Sequence, residues 1–221
     1  MVTIAGIDEV GRGPIAGPVV VGATCFTSTV SYPQFTDSKS LTEKKREQLV
    51  FEILEKADKW VLIAVGPQTI DRLNILEATR HAMTRAMSYL QAEENLVDGN
   101  MRLETSLSYT SIIKGDATHW QIGAASILAK VWRDRLMKSY DTIFTGYDFK
   151  KHKGYPTPVH KKALIKHGPS PIHRFSYRTV SQLGGEIQRA LLTSNSDELL
   201  IASEKDDYFF TPPPEGFSEY S

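Results

Sequence analysis

The 221-residue sequence holds one cysteine, Cys25, so no disulfide can form within the chain. Set in the apolar run "VVVGATCF", a lone thiol reads as core filling rather than as a nucleophile, and such sparing use of cysteine fits a reducing cytoplasm. Long apolar runs are missing too. None approaches the roughly 20 residues that cross a bilayer, and the opening "MVTIAGID" has neither a basic leader nor an extended apolar region. Neither membrane insertion nor secretion is expected; a cytoplasmic location is. The glycine-rich "GRGPIAG" spells Gly11-x-Gly13-x-x-x-Gly17, not G-x-G-x-x-G, and it runs into the β-branched "PVVVGA" rather than a helix, which excludes a dinucleotide-binding loop. His152, His160, His167 and His173 lack the i, i+4 spacing of a helical zinc pair, so structural or phosphate-contacting roles are expected of them.

Net charge is absent as well, at +0, but the charges are segregated. Residues 1–101 carry 10 Lys and Arg against 13 Asp and Glu, residues 102–191 carry 15 against 6, and residues 192–221 carry 1 against 7. A polyanion responds to the local field, so the basic middle of the chain matters more than the neutral total. The hydrophobic fraction of 41% and charged fraction of 24% are those of an ordinary soluble domain, and the length suits one such domain with a small appendage.

Residues 2–8 and 18–26 are β-branched and apolar, separated by "EVGRGPIAG", whose glycines and prolines require a turn. In "SLTEKKREQLVFEILEKAD", Ser40 and Glu43 have capping-box spacing, and Leu49, Val50, Ile53, Leu54 and Ala57 share one helical face. "WVLIAVG" reads as a strand, "NILEATRHAMTRAMSYLQAEE" as a helix with Leu76, Met83, Met87 and Leu90 inward, and "NLVDGN" and "SLSYTSIIKGD" as short strands ending in turns. The long helix "THWQIGAASILAKVWRDRLMKSYD" has a small-residue centre at Gly123–Ala125, which predicts close packing on the sheet. A basic, proline-punctuated region follows, then a short helix near 182–192. Strands alternating with helices after an opening hairpin indicate an α/β domain with a mixed sheet. The expected domain spans 1–192, with a basic C-terminal helical part over about 146–192. Residues 193–221, rich in Ser, Asp and Glu, read as a flexible acidic tail.

Two adjacent acids, Asp8 and Glu9, close the first apolar strand, where an uncompensated carboxylate is costly. Asp98 ends a later strand, Asp116 follows another, and Asp134 in "WRD" is a fifth candidate further along the long helix; strand-end carboxylates are what a hard divalent cation such as Mg²⁺ uses. Each has a plainer reading. Asp98 suits a turn, Asp116 a helix cap, Asp134 in "WRD" an ion pair, and Arg12 is placed to neutralise the Asp8–Glu9 pair. From Gly146 to Arg178 there are eight Lys or Arg and one acid, interleaved with Tyr147, Tyr155, Phe175 and Tyr177, as in a surface that tracks phosphates and stacks on sugars or bases.

In order, "GIDEVGRGPIAGPVVVGA", "DSKSLTEKKRE", "VDGN", "KGDA", "AASILAKVWRDRLM", "GYPTPVH" and "HRFSY" resemble ribonuclease HII over roughly residues 3–180. The resemblance implies an RNase H-like fold: a mixed sheet flanked by helices, with a C-terminal helical part. It also implies hydrolysis of the RNA strand of RNA/DNA hybrids and cleavage on the 5′ side of ribonucleotides embedded in duplex DNA, leaving 5′-phosphate and 3′-hydroxyl ends. By the same resemblance Asp8, Glu9, Asp98 and Asp116 are the catalytic carboxylates, holding two Mg²⁺ or Mn²⁺ ions. Asp134 becomes an ion-pair partner. Gly11, Arg12 and Gly13 would read the 2′-hydroxyl through their backbone, and Tyr155 would stack on the sugar beside the scissile phosphate. Lys39, Lys150, Lys151, Lys153 and Arg174 are the expected phosphate contacts. The partner implied is an RNA/DNA hybrid or a ribonucleotide-containing duplex, and a monomer is expected. Within the tail, "DDYFF" lacks the glutamine of clamp-binding peptides and reads as disordered. Two alternatives stand beside this: another metal-dependent nuclease of the same superfold, such as a junction resolvase or a DEDD exonuclease, and a non-catalytic nucleic-acid-binding module.

Overall fold

Two β-branched stretches form the first hairpin of the computed structural model, which describes residues 1–36, 40–183 and 207–210. Strands β1 (Thr3–Val10) and β2 (Val19–Thr27) pair antiparallel, with Asp8 opposite Gly22 and Glu9 opposite Val21. The expected end of the first strand at the acids is thus corrected: ladder pairing carries it through them to Val10. Strand β3 (Lys59–Val65) adds antiparallel to β2, while β4 (Glu94–Asp98) lies parallel to β1 and β5 (Thr110–Ile112) parallel to β4. With β6 (Tyr208–Phe210) on the far edge, the sheet order is β5-β4-β1-β2-β3-β6, the mixed sheet that the alternation of elements implies.

Both faces are covered, so the central strands are apolar on successive residues. Val19, Val21, Ala23 and Cys25 face a core shared with Ala82, Met83, Met87 and Leu90 of α3 (Ile75–Leu90). Val20 and Phe26 face the opposite core, built with Leu49 and Ile53 of α1 (Glu43–Lys56) and Ile127 and Leu128 of α5 (Trp120–Ile143). The α1 cap is Thr42, whose hydroxyl accepts from Lys45 N. Glu43 is therefore the first helical residue rather than the third, and the expected Ser40–Glu43 box does not form. A short helix that the sequence pattern does not announce, α2 (Pro67–Leu73), starts on proline and hands over at Asn74, whose side chain accepts from Leu76 N and Glu77 N to open α3.

Helix α5 lies against the sheet at backbone distance. A Cβ on Gly6 of β1 would sit 2.1 Å from Gln121 C, and one on Gly22 of β2 would sit 2.4 Å from Ala125 O. Gly123 meets a different neighbour, since its Cβ would fall 2.1 Å from Phe35 O in the short 3₁₀ turn Pro33–Phe35. The small centre of α5 is thus needed, but the close approach to the sheet is made possible by the strand glycines.

After the single turn α4 (Gly115–Thr118) and α5 come α6 (Phe149–His152), α7 (Pro158–His167) and α8 (Arg178–Leu183). They pack on satellite cores containing Met137, Tyr147, Phe149, Leu164 and Val180. The helix expected near 182–192 overlaps α8 only at its end; residues 184–192 lie outside the described residues. Within the stretch read as tail, Tyr208–Phe210 form β6, antiparallel to β3, with Leu62 opposite Phe210 and Asp207 accepting from Gly66 N. Disorder is therefore not the state of "DYFF": the edge of β3 and the partly buried Trp132, its ring 4.9 Å from that of Phe210, supply a partner that composition does not register. Among the described residues, no helix is long and apolar enough to cross a membrane.

Candidate active site

In an open sheet, ligands bind beyond the C-terminal ends of parallel strands. Strands β1, β4 and β5 are the parallel set here, and their ends deliver Asp8 and Glu9, then Asp98, then the Lys114–Asp116 turn. Asp8, Glu9 and Asp98 line one cleft of about 430 Å³, together with Val10, Arg46, Ser126, Lys130 and Tyr155. Asp98 Oδ1 accepts from Gly115 N at 2.6 Å, which ties β4 to the turn bearing Asp116. Asp116 itself is buried in the first turn of α4 and does not line the cleft. Among the described residues, no three His, Cys, Asp or Glu side chains are closed to metal-ligating spacing. The four predicted acids therefore share one end of the sheet, three of them in one cleft, without forming a finished cage.

Their electrostatics favour the binding of positive charge. Burial pushes the Asp8 carboxyl well above the usual range, and the charges of Glu9 and Asp98 push it further; bonds from Ser126 and from Glu9 N, at 2.7 Å, oppose this. Burial also raises Glu9, against the pull of Arg12, whose Nη1 stands 3.2 Å from Glu9 Oε1. Among the described residues, the buried Glu9 Oε2 finds no hydrogen-bond donor. An all-oxygen donor set with an unsatisfied carboxylate oxygen suits a hard divalent cation.

The turn after the acids is held from behind. Gly11 has φ +96°, and a Cβ there would lie 2.3 Å from Arg133 Nε and 2.8 Å from Pro18 O. Arg12 and Gly13 are exposed, and a Cβ on Gly13 would lie 3.4 Å from Tyr155 Cε1, so the turn and the tyrosine stand side by side. Arg174, expected on phosphate, is corrected by the structure. It is fully buried, and its guanidinium donates to Gly11 O, Arg12 O, Gly17 O and Tyr177 Oη. Arg133 is buried beside it and donates to Pro18 O, Ala16 O and Lys153 O; burial, then the charge of Arg174, lowers its pKa to about 10. The ion pair expected of Asp134 is made with Lys130, at 2.9 Å, not with a neighbouring arginine.

Lys150 pairs with Asp141 at 3.2 Å and Lys151 with Asp148 at 2.6 Å, both on the exposed surface. Lys153 has φ +52° and its ammonium bonds to Lys150 O. Lys39 lies outside the described residues. Sequence reasoning missed Lys130, Ser126 and Arg46 in the cleft and Arg133 behind the turn. Ser126 and Lys130 are four apart on one helix, a spacing that puts both on the face carrying Asp8's neighbours and could have found them.

Three of the four histidines singled out in the sequence are structural. His152 Nε2 donates to Tyr147 O at 2.7 Å and its Nδ1 accepts from Gly154 N; His160 Nδ1 donates to Tyr155 O at 2.8 Å. Burial lowers His160 to about 4 and His173 to about 3, so both are neutral at pH 7.

A family profile described as Ribonuclease HII matches residues 5–180. Ribonuclease HII of Idiomarina loihiensis is 47% identical over 182 residues, covering 81% of this chain and 97% of that protein. Ribonuclease HII of Carboxydothermus hydrogenoformans is 43% identical over 187 residues, covering 84% and 81%. Among solved structures, the ribonuclease H2 from Pyrococcus horikoshii superposes with a TM-score of 0.75 at 25% identity, covering 85% of this chain and 99% of that one.

Proposed function

This chain belongs to the ribonuclease HII family, whose members are divalent-metal-dependent endoribonucleases acting on RNA/DNA hybrids, and from that premise we propose which residues carry the reaction and on which substrate. Asp8, Glu9, Asp98 and Asp116 hold the cations, Mg²⁺ or Mn²⁺; Gly11–Gly13 read the 2′-hydroxyl; Tyr155 stacks on the sugar beside the scissile phosphate. The substrate class extends to single ribonucleotides embedded in duplex DNA, cut on their 5′ side. The single observation that carries the reading is the cleft in which Asp8, Glu9, Asp98 and Tyr155 meet, with Gly13 against the tyrosine ring.

When bound, the cations supply an activated water nucleophile and stabilise the leaving 3′-oxygen. Asp8 and Glu9, whose carboxyls burial raises, would be held ionised by that charge, and Lys130, already paired with Asp134, adds positive potential at the cleft wall. Because water attacks, the 2′-hydroxyl serves recognition alone, and a backbone turn within five residues of the acids is placed to sense it. Lys150, Lys151 and Lys153 contact backbone phosphates, the first two giving up weak surface ion pairs and the third its bond to Lys150 O.

The test is a cleavage assay on a DNA duplex with one ribonucleotide and on its all-DNA twin, with Mg²⁺ or Mn²⁺, mapping the cut and the product ends. Cleavage 5′ of the ribonucleotide, none of the all-DNA duplex, and loss of activity in Asp8→Asn are expected. Cleavage of both duplexes, or full activity of Asp8→Asn, overturns the reading.

A further inference from the structure

We infer that Arg174 and Tyr177 are positioning residues that hold the Gly11–Gly13 turn with its carbonyls inward and its amides outward, and thereby set how strictly a ribonucleotide is demanded. This deepens the function proposed above and rests on it. Arg174 Nη2 donates to Gly11 O at 2.6 Å, Nη1 to Arg12 O at 3.0 Å, and Nε to Gly17 O at 2.9 Å. The Tyr177 hydroxyl donates to Arg12 O at 2.8 Å and accepts from Arg174 Nη1 at 3.0 Å, while its ring lies 5.2 Å from the guanidinium. The segment between the two residues is itself anchored, since Asp71 of α2 accepts from Phe175 N at 2.8 Å and Ser176 N at 2.9 Å.

The consequence follows from peptide geometry. In a trans peptide the N–H points opposite to the C=O of the same unit. Arg12 N–H shares its unit with Gly11 C=O, and Gly13 N–H with Arg12 C=O; no peptide in the described chain is cis. Carbonyls turned onto a buried guanidinium therefore leave these two amides facing out, at exposed residues beside Tyr155. A pair of outward donors suits an oxygen lone pair and gains nothing from a C–H at the same place. The buried positive charge also polarises both peptides in the direction that strengthens those donors. The planar fork spreads its donors over three nitrogens to reach three separate carbonyls, a span that the compact ammonium of a lysine at position 174 would not cover.

Wild type, Tyr177→Phe and Arg174→Lys are compared on two duplexes of one sequence, one with a single ribonucleotide and one a continuous RNA/DNA hybrid, with kcat and KM read separately and thermal midpoints recorded. A continuous hybrid offers a 2′-hydroxyl at every step and tolerates a loosened turn; a lone ribonucleotide does not. Tyr177→Phe is expected to lower kcat/KM on the single ribonucleotide about five-fold, the effect of one hydrogen bond. Arg174→Lys is expected to lower it about 100-fold, as for the removal of charge-assisted bonds, with smaller losses on the hybrid for both. The loss falls in kcat, because phosphate contacts dominate binding. Equal losses on both substrates, or an unchanged ratio in Tyr177→Phe, which keeps the guanidinium and the ring, overturn the inference. A wild type that fails to cut the single-ribonucleotide duplex overturns the proposed function instead.

Discussion

His173 Nε2 stands 3.0 Å from His160 Nε2, and the bonds at either end decide which nitrogen holds the proton. His160 Nδ1 faces Tyr155 O and must donate, so its Nε2 accepts; His173 Nε2 then donates, and His173 Nδ1 accepts from Ser170 N at 2.9 Å. The two rings form a directed relay from the "PSPIHR" turn to the backbone of Tyr155, and it exists only while both are neutral.

Acid should therefore unfold the enzyme through this pair. Unfolded histidines titrate near 6.5, whereas His160 and His173 titrate at about 4 and about 3 in the fold. Below pH 6.5 the unfolded chain binds protons the fold refuses, so stability is full above that pH and falls as pH drops toward 4. Each histidine contributes a slope of about 1.4 kcal/mol per pH unit. Urea unfolding of wild type and His173→Asn between pH 7 and 4.5 checks this: the variant's slope should be shallower by about one proton.

Asp8→Asn should trade function for stability. Without a divalent cation the buried Asp8 carboxyl is destabilised by burial and by its acid neighbours, and an amide relieves both. A higher thermal midpoint in EDTA is expected, together with a fall in cleavage of about three orders of magnitude, the scale of several kcal/mol of missing charge stabilisation. Calorimetry and the duplex assay read the two effects separately.

Removing residues 207–221 should lower stability and leave cleavage intact. The truncation strips β6 from the β3 edge and uncovers Trp132. Phe210→Ala alone should cost about 1–2 kcal/mol, less than a fully buried phenylalanine. Exposed strand edges associate, so light scattering on heating should rise in the truncated chain.

Lys150→Gln with Lys151→Gln should weaken binding to every duplex alike and reduce the slope of log K against log salt by about 0.9 for each phosphate that is no longer neutralised. Fluorescence anisotropy at several salt concentrations reads the slope, and a change confined to ribonucleotide-containing duplexes would count against phosphate binding by these lysines.

The mixed sheet, the long helix and the acids at strand ends were legible because hydrophobic period, small-residue clusters and charges inside apolar runs are local signals. The roles of Arg174 and Arg133 were not. An arginine in a basic segment looks like a phosphate ligand, and only the tertiary fold shows that its guanidinium is spent on carbonyls more than 100 residues away. The same limit hid β6: "DYFF" gains its partner from an edge strand some 150 residues earlier, and composition counts only its acidic surroundings.

Helix α5 carries Ser126 and Lys130 into the cleft and Arg133 behind the reader turn. Its backbone lies where Gly6 and Gly22 have no side chains. One residue of axial slip is about 1.5 Å, enough to withdraw all three groups together. The two glycines thus act as a keyway, fixing the phase of the helix so that chemistry and recognition remain in register with each other.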